Sequence, residues 1–118
     1  MVSVNARIKG DSLVIEPEGK VSKFASLKRR MEIPLSSIRS VSTEKVKDIK
    51  GMRIGGTAIP PHFAGNFYDF TDGRIFYALS DREKCVTIET DGFTYQKVVV
   101  QVEDKEQTAG MIRQAIAG

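Results

Sequence analysis

The clearest local signal in the sequence is a β-hairpin around Asp72-Gly73, which lies between two apolar-rich runs spanning 66–79. An Asp-Gly pair suits a two-residue type I′ turn, because both central residues of that turn need positive φ. Such a turn fixes the strand register, and cross-strand pairs of large side chains contribute roughly 0.2–1 kcal/mol each. The predicted pairs are Phe70 opposite Ile75 and Tyr68 opposite Tyr77. The chain is therefore expected to fold around short antiparallel strands.

A second Asp-Gly pair, Asp91-Gly92, joins a strand predicted over Cys85–Thr90 to a longer one predicted over Phe93–Glu103. A strict two-residue loop would set a lysine opposite Val86. A loop that is one residue longer, with Gly92 left-handed and a bulge, sets Val98 there instead, and this bulged loop is the prediction. The residues that then share one face of the returning strand are Val98, Val100 and Val102.

The N-terminal third of the sequence also shows strand patterns. Residues 2–9 alternate between apolar and polar side chains, and after a Gly-Asp turn a strand over 13–16 returns and is stopped by Pro17. Residues 22–27 are consistent with a single helical turn or with a bent strand. The pattern predicts one antiparallel hairpin followed by an ambiguous segment.

Two more strands are predicted before the centre of the chain. The first has alternating apolar residues, which are Met31, Ile33 and Leu35. Its Pro34 must lie at an edge or an end, since proline cannot donate to a ladder. The second covers 38–43, and one of its faces carries Ile38, Ser40 and Ser42. A polar, charged connection follows over 44–51.

The sequence closes with a predicted amphipathic helix of about three turns. Asp104 followed by Gln107 has the spacing of a capping box. The apolar stripe behind it consists of Ala109, Met111, Ile112, Ala115 and Ile116. The chain is therefore predicted to be one mainly β domain, residues 1–118, with about seven to nine short strands in a barrel or sandwich and one C-terminal helix.

This order of strands, together with the segments 32–38, 53–57 and 76–82, resembles the bacterial pleckstrin-homology (PH)-like domains. In that family an Ile-Pro-Leu-Ser-x-Ile element precedes a basic strand and a glycine-containing loop. The likeness extends from about residue 12 to the end of the chain. It implies a PH-like barrel of two nearly orthogonal antiparallel sheets, capped at one end by the helix, with no catalytic motif.

One ligand property of the wider superfamily does not carry over. Eukaryotic relatives that bind phosphoinositides hold the headgroup with a Lys…Arg-x-Arg pattern around the first hairpin. Here the first turn is Lys9-Gly10-Asp11, and no Arg-x-Arg follows it. Phosphoinositide recognition is therefore not predicted.

The least regular stretch is 53–67, which holds a Gly-Gly pair, a Pro-Pro pair and the only histidine. The glycines are expected to bend a strand at a barrel corner. The prolines are expected to force an extended excursion, because a residue before proline avoids the α region. Phe63 on that excursion is either tucked into the barrel or an exposed contact. The candidate partner-binding residues here are Arg53, Pro60, Pro61, His62 and Phe63.

Positive charge is concentrated between Lys20 and Arg53, where ten basic residues face three acidic ones and give a net charge of +7. The remaining residues carry −4. The densest cluster is Lys28, Arg29 and Arg30. It either contacts an anionic partner or serves as a solvated face. Substituting the three residues by glutamate is expected to abolish binding if the first alternative holds.

The sequence offers little chemistry for catalysis. One histidine excludes paired-histidine metal sites, and the single Cys85 is expected to be a small buried hydrophobe rather than a nucleophile paired with His62. Neither spacing of the glycine-rich phosphate loops is present. No enzyme activity, cofactor or metal is predicted. The chain shows no signal peptide and no apolar run of membrane-spanning length, which favours a cytoplasmic protein, with peripheral contact at the inner face of the membrane as an option.

Three functions remain open on the sequence alone. The favoured one is a non-enzymatic binding module for a protein partner or an anionic membrane surface, with nucleic acid disfavoured. The alternatives are a small-molecule-binding protein or enzyme with a pocket near His62 and Phe63, and a domain that self-assembles through edge strands.

Overall fold

The computed structural model of the chain describes residues 2–17 and 30–118. Within these ranges nine strands precede one C-terminal helix, which confirms the predicted mainly β class. The strands are β1 (Val4–Lys9), β2 (Ser12–Pro17), β3 (Met31–Pro34), β4 (Ile38–Ser42), β5 (Met52–Ile59), β6 (His62–Asp69), β7 (Gly73–Leu79), β8 (Cys85–Thr90) and β9 (Lys97–Gln101), and the helix is α1 (Lys105–Ala117). The ambiguous segment 22–27 lies outside the described residues.

The strands form two sheets. A three-stranded sheet has the order β1-β2-β3, and a six-stranded sheet has the order β4-β8-β9-β7-β6-β5. All neighbouring pairs are antiparallel except β7 and β9, which run parallel. After β7 the chain leaves a gap of one strand before β8. Strand β9 then fills that gap, between its hairpin partner β8 and the earlier strand β7.

The main core lies between the two sheets and helix α1. Val98, Val100 and Val102 all belong to it, as the alternation along β9 predicts. Helix α1 contributes the buried Ala109 and Ile112. The Asp104 half of the predicted capping box is confirmed, since its carboxylate accepts a hydrogen bond from the backbone N–H of Gln107 at 3.1 Å.

A second core covers the other face of the six-stranded sheet, with aromatic and aliphatic side chains from β6 to β9. Residues 43–51, called here the strap, run across this core and bury Val46 against it. The strap is fixed by the Arg82 guanidinium, which donates to the carbonyl of Lys47 at 2.7 Å, and by the Lys50 N–H, which donates to the Tyr77 hydroxyl at 3.0 Å. The predicted polar connection is thus a packed part of the domain.

One carboxylate links the strap to the sheet. Asp72 Oδ2 lies 3.1 Å from Lys50 Nζ and 3.3 Å from Lys97 Nζ. The hydrogen bond from Lys50 is the largest cause of a lowered Asp72 pKa, and the contact with Lys97 adds to it, although partial burial opposes both.

This arrangement predicts an acid-dependent loss of stability. A carboxylate with a lowered folded-state pKa stabilises the fold above its unfolded pKa of about 3.9 and loses that contribution as pH falls through the folded pKa. We expect Asp72→Asn to lower the free energy of unfolding at neutral pH and to lose this deficit as the pH falls from about 3.9 through the lower folded-state pKa. Urea unfolding across that range measures this, with the exposed Asp91→Asn as control. A deficit that stays constant with pH would contradict the ion-pair explanation.

The β6–β7 hairpin differs from its prediction. Phe67 lies opposite Ile75 and Asp69 opposite Gly73, so the predicted Phe70/Ile75 and Tyr68/Tyr77 pairs are wrong. A type I′ turn at Asp72-Gly73 is also wrong, because Gly73 has positive φ (79°) and no described non-glycine residue does. The Asp69 carboxylate accepts hydrogen bonds from the N–H groups of Thr71 and Asp72, which closes a longer turn.

The β8–β9 connection is also longer than predicted. Val86 lies opposite Val100 rather than Val98, and six residues, 91–96, link the strands. The left-handed Gly92 is confirmed, with φ of 78°. The loop is held at its ends because the Thr90 hydroxyl donates to the carbonyl of Tyr95, and Gln96 Oε1 accepts from the N–H of Arg74 at 2.7 Å.

Around β3 the proline prediction is confirmed, and Met31, Ile33 and Leu35 all contact the main core as predicted, but the predicted face of β4 is wrong. Pro34 is the last residue of the edge strand β3. Leu35 belongs to a 3₁₀ turn (Leu35–Ser37) instead of the strand. Ile38 and Val41 both enter the core, because the register with β8 shifts between Ile38 and Ser40.

Candidate functional site

Residues 53–67 form an ordered hairpin, and the predicted extended excursion is wrong. Strands β5 and β6 pair along their lengths and place Ile59 opposite His62. The peptide bond between Pro60 and Pro61 is cis, which gives a two-residue turn with cis-proline at its second central position. The glycines are expected to bend a strand, and β5 does have an irregularity there, because its register shifts between Arg53 and Gly55.

This hairpin and the turn after it carry an unusual share of exposed apolar surface. In the described part of the chain, five large hydrophobic side chains are exposed, and all five fall between residues 52 and 70. They are Met52 (73 %), Ile54 (58 %), Ile59 (69 %), Tyr68 (44 %) and Phe70 (93 %). Contiguous exposed apolar surface rimmed by polar residues marks interaction sites.

Three of these side chains group at one end of the hairpin, and we call Met52, Tyr68 and Phe70 the apolar tip. Met52 lies opposite Tyr68 across the β5–β6 ladder. The rings of Tyr68 and Phe70 meet edge to face, with centroids 5.9 Å apart. Phe70 occupies the β6–β7 turn itself, where little of the domain covers it.

Cations surround the apolar tip, and we call Lys50, Arg53, Arg74 and Lys97 the flanking cations. Arg74 is the cross-strand partner of Tyr68, and its exposed guanidinium has no ion pair among the described residues. Lys50 and Lys97 share Asp72, so these three groups keep a net positive charge. With the Asp69 carboxylate of the turn also counted, four cations face two carboxylates, so the end of the hairpin combines apolar contact surface with excess positive charge.

Strand β5 is an edge of the six-stranded sheet and pairs with β6 alone among the described strands. Two features work against further strand pairing there. The register shift after Arg53 interrupts the ladder, and the Arg53 guanidinium donates to the carbonyl of Gly56 at 3.1 Å. At the opposite edge, Arg113 of α1 donates to the Val41 carbonyl of β4 at 2.8 Å. A partner is therefore expected to contact the side chains of β5 rather than to add a strand to it.

The structure separates the site residues predicted from the sequence. Arg53 lies beside the apolar tip, whereas Pro60 and Pro61 are exposed at the other end of β5. Phe63 is buried in the second core, with the Arg82 guanidinium 5.9 Å from its ring centre. Lys28 and Arg29 lie outside the described residues. Arg30 is exposed next to β3, in the other sheet, and pairs with Glu32 at 2.7 Å.

The apolar tip itself escaped sequence reasoning, because the wrong register of the β6–β7 hairpin paired Phe70 and Tyr68 with strand residues. A signal for the correct turn was present. Asp69 precedes the turn by a spacing that lets its carboxylate accept from the N–H groups that follow, which favours a longer loop and leaves Phe70 inside it.

A groove of about 590 Å³ does lie beside His62, lined also by Ser80, Asp81 and Arg82. His62 Nδ1 and Ser80 Oγ are 2.7 Å apart, and that oxygen also accepts the backbone N–H of Val2 at 2.7 Å. The backbone N–H groups of Ser80 and Asp81 both donate to Gln101 Oε1, so they are not available to stabilise an oxyanion. By accepting from Val2, the Ser80 hydroxyl holds the N-terminal residues next to the end of β7.

Cys85 is fully buried in the second core, and its Sγ donates to the carbonyl of Asp81 at 3.3 Å. Burial raises the pKa of the thiol to about 12, which leaves almost no thiolate at neutral pH. We expect a disulfide reagent at mildly alkaline pH to leave the native protein unmodified and to label one thiol per chain after unfolding. Rapid labelling of the native protein would show that Cys85 is accessible.

None of the helices in the described ranges is both long and apolar enough to cross a membrane. Searches of curated proteins and of solved structures found no match to this chain. The sequence model of the bacterial PH domain matches residues 8–110, which is most of the chain. With nine strands in two sheets and a single helix at the C-terminus, the fold agrees with that match. The chain therefore belongs to the bacterial PH domain family.

Proposed function

We propose that this domain is a non-enzymatic interaction module and that the hairpin surface from Met52 to Phe70 contacts its target. The observation that carries the proposal is that every large apolar side chain exposed in residues 2–17 and 30–118 lies on this surface. Surfaces of this kind are costly to leave in water and usually become covered by a partner.

The charge of the surface restricts the target. Arg53 and Arg74 flank the apolar tip, and Lys50 and Lys97 outnumber the one carboxylate that they share. A target with apolar groups and negative charge satisfies both features. A protein with an acidic contact surface and an anionic lipid bilayer are the two targets with this chemistry.

A photocrosslinking amino acid at position 70 tests the proposal, with the same amino acid at position 84 as control. Position 84 is exposed in the β7–β8 connection, at the far end of β7 from Phe70. We expect adducts at position 70 and none at position 84 when the crosslink is made in the native host. The captured species, protein or lipid, is then purified and its affinity for the domain is measured.

The affinity measurement decides the result. The double variant Met52→Ser, Phe70→Ser should bind that species at least about tenfold more weakly, since exposed anchors of this size contribute about 2 kcal/mol or more. Arg30→Glu tests the basic cluster predicted from the sequence in the same assay. Unchanged affinity in the double variant, or equal crosslinking at both positions, would contradict the proposal.

A further inference from the structure

We infer that the target of the apolar tip is an anionic lipid bilayer, into which Phe70 inserts while the flanking cations contact lipid phosphates. This inference rests on the proposed function and specifies its target. It concerns the β6–β7 turn and the start of β5, and not the first hairpin of the domain.

The shape of the surface fits a bilayer. Phe70 lies in a turn and has 93 % of its surface in water, so it projects from the domain instead of lining a pocket. Met52 and Tyr68 stand directly behind it on adjacent strands. A projecting phenylalanine backed by a tyrosine and a methionine can enter the headgroup and acyl boundary without any conformational change.

The positive charges lie close to the apolar tip, as a contact with lipid phosphates requires. Asp72, two residues after Phe70, holds the ammonium groups of Lys50 and Lys97 next to the turn at 3.1 and 3.3 Å. Arg74 follows on β7, beside Tyr68. Phe70 thus projects from the turn, and the cations lie level with Tyr68 and around the turn, where they can contact lipid phosphates when Phe70 enters the headgroup layer. Each cation near an anionic surface contributes about 1 kcal/mol.

The alternative target, an extended peptide, fits less well. A peptide that adds to β5 needs a regular row of free backbone groups, but the register shift after Arg53 and the bond from its guanidinium to the Gly56 carbonyl interrupt that row. Ile59, at the end of β5, lies far along the strand from Met52. A peptide would have to cross the irregular part of the edge to reach both.

The sequence makes the test simple, because it contains no tryptophan. Phe70→Trp places a single tryptophan at the tip, and Lys84→Trp places one at the opposite end of β7. We expect vesicles of phosphatidylcholine and phosphatidylglycerol to shift the emission of Trp at position 70 to shorter wavelength, and lipids brominated near the headgroup to quench it. Vesicles of phosphatidylcholine alone should have little effect, and the control at position 84 should not respond.

Binding itself is measured by sedimentation with the same vesicles. Phe70→Ser should lower the partition coefficient by about tenfold or more, given the transfer free energy of a phenylalanine side chain. Arg74→Glu should lower it by about tenfold and reduce its dependence on salt. Lys84→Glu makes the same charge change away from the tip and should alter binding by less than about twofold.

The outcomes separate this inference from the function on which it rests. If the vesicles are not bound, or are bound with no change in emission at position 70, the bilayer is not the target. If the crosslink at position 70 then yields a protein whose binding requires Phe70, the interaction module stands and its target is that protein. If neither vesicles nor crosslinking depends on Phe70, both proposals fail.

Discussion

Gly65→Ala should lower the free energy of unfolding by about 2–5 kcal/mol, from backbone strain and overpacking together. Gly65 has φ of 148°, and a Cβ atom placed there would lie 2.8 Å from the Cα of Gly56 and even closer to the carbonyl oxygen of Gly55. Both neighbours are backbone atoms, so no side-chain rotation can relieve the contact. Gly56 is the cross-strand partner and is equally restricted, since it has φ of 101° and a Cβ atom there would lie 2.7 Å from the Cα of Gly65.

Urea unfolding of Gly65→Ala measures this effect, and helix α1 offers a matched control. Gly110 lies within that helix, and a Cβ there would meet no atom within 4 Å. Gly110→Ala should therefore stabilise the domain by about 0.5–1 kcal/mol through helix propensity. If the two variants unfolded at the same urea concentration, the close approach of β5 and β6 would be wrong.

The features that the sequence predicts correctly are those decided by neighbouring residues. The cap of helix α1 depends on Asp104 and Gln107, three residues apart, and both lie where the sequence places them. Strand β8 has the predicted bounds, Cys85–Thr90, because its apolar pattern and the turn after it are local signals. The mainly β class follows from the sum of such local signals.

The two hairpin registers depend on contacts that a local pattern does not contain. The loop over 91–96 is closed in part by a bond from the N–H of Arg74 to Gln96, which are 22 residues apart in sequence. The turn after β6 follows from the Asp69 carboxylate, which competes with the preference of Asp72-Gly73 for a tight turn. In each case side-chain hydrogen bonds to the backbone override the preference of an Asp-Gly pair.

The same limit applies to the candidate site. A shift of three residues in the β6–β7 register moves Phe70 from a predicted strand pair to the exposed end of a turn. The strap shows the converse, since Val46 stands between two lysines in the sequence and is nevertheless buried in the second core. Whether a lone apolar residue is buried or exposed is decided by the sheet that it meets, and that sheet is formed from distant parts of the chain.

Gln101→Met should be the second most damaging substitution, with a loss of about 2–4 kcal/mol. Gln101 is 2 % exposed, and its Oε1 accepts the backbone N–H groups of Ser80 and Asp81, both at 2.7 Å. Methionine keeps the length and volume of the side chain but removes the acceptor, which leaves two donors without a partner. The damage should extend to the N-terminus, because Ser80 also holds the backbone N–H of Val2.

Gln96→Met is the matched control, since its amide oxygen also accepts a backbone N–H, that of Arg74 at 2.7 Å, but from an exposed position. Water can replace that acceptor, so the loss should be less than about 1 kcal/mol. Urea unfolding gives the two free energies, and hydrogen exchange should show faster exchange of the Ser80 and Asp81 amides in Gln101→Met alone. Equal losses in the two variants would mean that burial does not increase the contribution of the Gln101 acceptor to the free energy of unfolding. In that case the turn after β7 would be held by the packing of β7 and β9, and the groove beside His62 would keep its shape without Gln101.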